Sequence, residues 1–89
     1  MTTLREFKAK YMAKLLNLKK QLLEKYTERA QRVEHIVDVL VAKLEHLRTF
    51  TLTDYIATIY HASKEFREIE ALIPSEQEVE ELLRGEQSP

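Results

Sequence analysis

Apolar residues recur every three or four positions along most of this chain, beginning with Leu4, Phe7, Tyr11, Leu15, Leu18, Leu22 and Tyr26 and continuing through Ala30, Val33, Val37, Leu40, Leu44 and Leu47. That spacing returns to one face of an α-helix at each step and does not fit the two-residue alternation of a strand. Neither Gly nor Pro interrupts the run, and Thr3 with Glu6 makes a capping box at its start. The pattern predicts one long helix over residues 4–48. Much of the stripe repeats every eleven residues, as in Tyr11-Leu22-Val33-Leu44 and Leu4-Leu15-Tyr26-Val37. Eleven residues in three turns is about 3.67 per turn, which gives a seam that runs nearly straight or slightly right-handed. Thr27 offers a competing cap, which would divide the helix at Tyr26-Thr27-Glu28.

The segment Arg48-Thr49-Phe50-Thr51 reads as a turn, with Thr51 and Asp54, or Thr53, capping a second helix. That helix, over residues 52–73, has its seam at Tyr55, Ile59, Ala62, Phe66, Ile69 and Ile73 and stops at Pro74. Ser75 with Glu78 opens a third, short helix over residues 76–84, with Val79, Leu82 and Leu83 inward and Gly85 as its C-terminal cap. Residues 86–89 read as a frayed tail. The fold class is all-α: a long N-terminal helix, a shorter antiparallel helix and a short C-terminal helix, in a single domain over residues 1–85.

Dimensions then point to self-association. A helix of residues 4–48 spans roughly 67 Å, and the second helix, roughly 33 Å long, covers only half of it. Met12, Leu16, Leu23, Ile36 and Val41 widen the apolar arc beyond what one partner helix can bury. A homo-oligomer is expected, most simply an antiparallel dimer with a coiled coil-like helical bundle at its centre. Its interface is placed on Leu4, Phe7, Tyr11, Leu15, Leu18, Leu22 and Tyr26.

Composition narrows the chemistry. The chain has 89 residues, one Gly, two Pro and no Cys. So few turn residues argue against a β-sandwich or barrel, and the absence of Cys removes disulfides, thiolate nucleophiles and Cys-based zinc sites. No run approaches a transmembrane span and Met1-Thr2-Thr3-Leu4-Arg5 does not read as a signal peptide, so a cytoplasmic location without membrane contact is expected. A single asparagine, Asn17, on a Glu- and Lys-rich background fits a thermophilic source.

The net charge of −1 conceals a gradient: residues 1–25 carry seven basic side chains against two glutamates, and residues 61–89 carry three against eight. Lys10, Lys14, Lys20 and Lys25 are the candidates for contact with nucleic acid or with an acidic partner. The aromatics Phe7 and Tyr11 lie on the core seam and do not interleave with the lysines. Charge complementarity, with Glu76, Glu78, Glu80 and Glu81 facing Lys14 to Lys25 within or between chains, is therefore the favoured reading.

Arg29 interrupts the apolar stripe. It reads as an anion ligand or a register-setting charge, or as a stem laid over the core with its head on Glu28 or Glu65. His35, His46 and His61 lack metal-ligand spacing except for His61 with Glu65, and two ligands make a poor site, so no metal and no cofactor are expected. No phosphate loop, nucleophile elbow or Cys/His arrangement occurs. The long-medium-short outline of helices resembles the dimeric all-α chorismate mutases, and Arg32 and Lys43 match that family's eleven-residue Arg/Lys spacing. The family's N-terminal arginine and the Arg-Asp-rich start of its second helix have no counterpart, so the activity is not carried over.

The functional expectation is a small non-enzymatic helical oligomer acting as a protein–protein interaction or adaptor module. It is analogous to small oligomeric proteins of viral, plasmid or regulatory type. The alternative is a nucleic-acid-associated regulator using the basic half of the first helix. A third reading, from another class, is a metabolic enzyme with a cationic pocket around Arg29, Arg32 and Lys43.

Overall fold

The computed structural model describes residues 3–47 and 51–87, and every element among them is helical. Four α-helices, α1 (Leu4–Lys25), α2 (Ala30–Glu45), α3 (Leu52–Ser63) and α4 (Glu76–Gln87), are joined in part by 3₁₀ segments at Thr27–Arg29 and Arg67–Leu72. The Cα radius of gyration is 13.4 Å and the principal extents are 48 × 20 × 18 Å.

The long helix expected over residues 4–48 is two helices. α1 ends at Tyr26, whose backbone (φ −112°, ψ 57°) leaves the helical region while its amide still donates to the Leu22 carbonyl. Thr27, the anticipated cap, makes no such bond; the 3₁₀ turn after Tyr26 has no side-chain cap at all. Contacts made far along the chain surround the break. The Tyr26 ring meets Phe66 edge-on at 4.9 Å between centroids, and its hydroxyl donates to Glu68 Oε1 at 3.0 Å. Chain reversal here lets α1 lie along α2. Lys8 Nζ donates to the Glu45 carbonyl at 2.9 Å, so a cation near the start of α1 meets the free carbonyls at the end of α2.

This hairpin removes the surface that called for a second chain. Phe7, Tyr11, Leu15, Leu18 and Leu22 of α1, together with Val33, Ile36, Val37, Leu40 and Leu44 of α2, are buried within one copy. The two apolar stripes face each other in place of one stripe facing a partner. Each such side chain contributes about 1.5–3 kcal/mol on full burial.

α3 begins where its sequence says it should: Thr51 Oγ1 accepts from the Asp54 amide at 3.0 Å. Lys43–Asp54 at 2.8 Å joins the end of α2 to the start of α3, and Arg29–Glu65 at 3.0 Å joins the start of α2 to the segment after α3. The expected helix over residues 52–73 stops early, at Ser63. Phe66 is extended (φ −131°, ψ 98°), and the chain continues as six residues of 3₁₀ helix. Three residues per turn align Phe66, Ile69 and Leu72, and all three are buried. Ile73, expected on the seam, is only half-buried.

The Ser75–Glu78 capping box is formed in both directions, each amide donating to the other side chain at 3.2 Å. α4 runs through Gly85 to Gln87, so Gly85 is not a cap, and Leu83, expected inward, is 39% exposed while Leu82 is buried. The anticipated turn at Arg48-Thr49-Phe50 lies outside the described residues, as do the last two residues of the expected tail. No helix among the described residues is long and apolar enough to cross a membrane.

Candidate functional site

The residues assigned to an oligomer interface serve another purpose. Leu4 and Tyr26 are half-buried, and Phe7, Tyr11, Leu15, Leu18 and Leu22 lie inside the single-chain core, so none of the seven offers an open apolar face. Sequence spacing identifies them as buried but does not say by what.

The four lysines are divided. Lys10 Nζ lies 2.9 Å from Glu78 Oε2, and Lys25 Nζ lies 3.1 Å from Glu68 Oε2, so two of them meet acidic residues of the same chain. Lys14 stands over the Tyr11 ring at 5.1 Å from its centroid. Lys20 is exposed. Glu78 gathers several donors: Tyr11 Oη at 2.7 Å, Lys10, and the Ser75 amide and hydroxyl. Desolvation pushes its carboxyl up, but these donors prevail and hold it down at about 2.

Arg29 and Arg32 converge on Glu65. Arg29 Nη2 donates to Oε2 at 3.0 Å and Arg32 Nε to the same oxygen at 2.9 Å, while Arg32 Nη2 binds Oε1. The Arg32 guanidinium, more than that of Arg29, lowers the Glu65 carboxyl to about 2. Arg29 also lays its guanidinium over the Phe66 ring, 4.6 Å from the centroid. It is the stem-over-core reading of Arg29 that the geometry matches, with Glu65 as the partner. Lys43 belongs elsewhere: three turns along α2, roughly 16 Å from Arg32 along the axis, it pairs with Asp54. The three cations therefore do not form one pocket. An open depression of about 640 Å³ lies beside Arg29, Arg32, Gln31 and His35, but both arginines facing it are already engaged by Glu65.

His35, His46 and His61 are all exposed. Among the described residues no group of three or more His, Asp or Glu side chains is placed to hold a metal ion.

A second concavity, of about 270 Å³, was not anticipated. Ile56 and Tyr60 of α3 form one wall, Ile73 and Pro74 the base, and Val79 of α4 the other wall, with Glu76 and Glu80 on the rim. Helical spacing puts Leu83 one turn beyond Val79 on the same side of α4. Among the described residues only Leu16, Tyr60 and Leu83 are large hydrophobics left exposed, at 53%, 53% and 39%. Of those three, Tyr60 lines this groove and Leu83 follows one turn beyond its Val79 wall on α4. Ile56 and Tyr60 fall off the α3 seam, a sequence signal that separates them from the core; no local pattern could have joined them to Val79.

Comparison with protein-family models, with curated proteins and with solved structures finds no match to this chain.

Proposed function

We propose that the chain is a non-enzymatic protein–protein interaction module that binds an apolar, basic helical segment in the groove between α3 and α4. The supporting observation is the apolar surface gathered there: Tyr60, 53% exposed, stands with Ile56, Ile73 and Val79 in one concavity, and Leu83 follows one helical turn beyond Val79. Isolated surface hydrophobics are ordinary, but apolar side chains gathered in a cleft with a polar rim mark recognition sites. Glu76 and Glu80 select for lysine or arginine on the partner through charge complementarity, which orients the complex more than it tightens it. An amphipathic helix laid in an apolar groove is the mode of recognition that fits.

The basic half of α1 supports the nucleic-acid alternative less well, because Lys10 and Lys25 already meet Glu78 and Glu68. A binder that depends on phosphate neutralisation loses affinity steeply with salt, so a titration of duplex DNA at low and high salt separates the two readings.

The proposal is tested by titrating the ¹⁵N-labelled protein with an amphipathic helical peptide of leucine and lysine at helical spacing. Amide shifts clustered at Ile56, Tyr60, Val79 and Leu83, and abolished by Tyr60→Glu, are the expected result. Unchanged spectra at millimolar peptide, or shifts confined to α1, contradict it.

A further inference from the structure

Resting on that reading of the groove, we infer that its occupant is a second copy of this chain, entering with the outward ridge of α1 formed by Met12, Leu16 and Leu23 and flanked by Lys19 and Lys20. The exposed apolar surface of one copy falls into two complementary parts. Leu16, on α1, is 53% exposed, whereas Tyr60, equally exposed, lines the concave groove, and Leu83, 39% exposed, lies one turn beyond its Val79 wall. Met12 and Leu23, on the same helical flank as Leu16, are half-buried against the edge of the core, so Leu16 is the exposed crest of the ridge. At 100° per residue Met12, Leu16 and Leu23 fall within about 40° of one another on the helix.

Charge matches shape. The ridge carries Lys19 and Lys20, one turn beyond Leu16, and the groove carries Glu76 and Glu80, one turn apart on α4. A Leu16 seated against Tyr60 and Val79 sets its lysines roughly 4.5–6 Å along the axis, within reach of Glu76 or Glu80. Among the described residues, neither acidic group has a basic partner from α1 within its own chain. The ion pair from α1 to α4 uses Glu78, on a different side of α4 from the groove, and Glu80 meets Arg84, at 3.8 Å, one turn along the same helix. This is not the contact the sequence suggests. The stripe of Phe7 to Leu22 stays in the core, and association uses the opposite side of the same helix.

Ridge and groove are different patches, so the contact is either a reciprocal twofold one or head-to-tail. It closes if two copies engage each other reciprocally and extends if they do not. The groove is small, about 270 Å³, so association is expected to be reversible and concentration-dependent.

Sedimentation equilibrium of the full chain at low salt, from about 10 μM to about 1 mM, measures this directly. The apparent mass is expected to rise from the 10.5 kDa of one copy toward at least twice that value. Leu16→Glu breaks the ridge and leaves the groove; Tyr60→Glu breaks the groove and leaves the ridge. Both positions are exposed, so each variant is expected to keep the wild-type melting temperature and to remain at the single-copy mass. An equimolar mixture of the two variants restores one intact ridge–groove contact and is expected to form a one-to-one complex. A wild-type chain that stays at 10.5 kDa throughout overturns the inference, as does association that survives both substitutions or a mixture that does not pair. If the wild type stays single while the leucine–lysine peptide still shifts Tyr60 and Val79, the second copy is ruled out and the groove reading survives. Silence in both experiments removes both.

Discussion

Tyr11 and Glu78, 67 positions apart, are joined by a 2.7 Å hydrogen bond in which the phenol of α1 donates to the carboxylate that also caps α4. Burial, then the bond to Glu78, raises the Tyr11 hydroxyl well above its ordinary range, so the phenol remains a donor at any working pH. One carboxylate thus starts a helix and fixes where it docks. Tyr11→Phe keeps the ring, which lies 4.5 Å from that of Phe7, and removes only the donor. A bond to a charged acceptor is worth about 1.5–3 kcal/mol, and partial exposure of this one favours the lower end. Urea unfolding of the variant is expected to show a loss of that order. Hydrogen exchange is expected to accelerate in α4 before it does so in the α1–α2 hairpin.

Acid weakens the same contact. The Glu78 and Glu65 carboxyls sit at about 2, below the ordinary 4.5, because their charged forms are held by Lys10 and Tyr11 and by Arg32 and Arg29. A depressed carboxyl contributes stability that is complete above the unfolded value and lost as pH falls through the folded one. The melting temperature is therefore expected to be insensitive to both groups above about pH 5 and to fall between about pH 4.5 and pH 2. Glu78→Gln should reduce that fall. Glu65→Gln should reduce it less, because the Glu65 side chain is more exposed than that of Glu78, 32% against 17%, and solvent screens its pairs more.

Leu16 and Leu22 lie six residues apart on α1, yet one is 53% exposed and the other 1%. Leu22→Ala is expected to cost about 2–5 kcal/mol, the usual range for an emptied core position. Leu22→Glu would bury an unpaired charge and should leave the chain unfolded at room temperature, since a domain of this size has only about 5–10 kcal/mol to lose. Leu16→Ala should stay within about 0.5 kcal/mol of wild type. Equal losses at the two positions, read from denaturant midpoints at a concentration where copies do not associate, would contradict the burial pattern.

Local chemistry is legible in the sequence and distant contact is not. Thr3, Thr51 and Ser75 each accept from the amide three residues on, as their spacing to Glu6, Asp54 and Glu78 implies. The stripe from Leu4 to Leu47 is apolar and helical, as its period implies. Its division at Tyr26 is visible only as an alternative, through a Thr27 cap that does not form, because the eleven-residue series crosses the break without a fault and no Gly or Pro marks it. The partners of Tyr26, Phe66 and Glu68, are about forty positions away. A weaker local sign does exist in the second half. Phe66, Ile69 and Leu72 are spaced by three, the period of a 3₁₀ helix, whereas a seam drawn through Ile73 in place of Leu72 has α-helical spacing. The groove needs three segments to be brought together, and nothing in Ile56, Pro74 or Val79 alone announces it. Charge complementarity between the basic start and acidic end is visible as a gradient, but its partners are not: in place of Glu76, Glu78, Glu80 and Glu81 facing Lys14 to Lys25, Lys10 meets Glu78 and Lys25 meets Glu68.

The burial of the α1 stripe against α2 depends on one feature, the return of α2 along α1 after Tyr26. The chain contains no cysteine, so a pair of spin labels can be placed cleanly at the exposed positions Arg5→Cys and His46→Cys. Electron-spin distance measurement on labelled protein diluted in excess unlabelled chain then reports the intramolecular separation alone. The hairpin places these positions within roughly 20 Å, given helix axes about 8–10 Å apart and the length of the labels. An uninterrupted helix would hold them roughly 61 Å apart at 1.5 Å per residue. A narrow distribution near the shorter distance is the expected result, and one centred near the longer distance would contradict the fold and every site built on it.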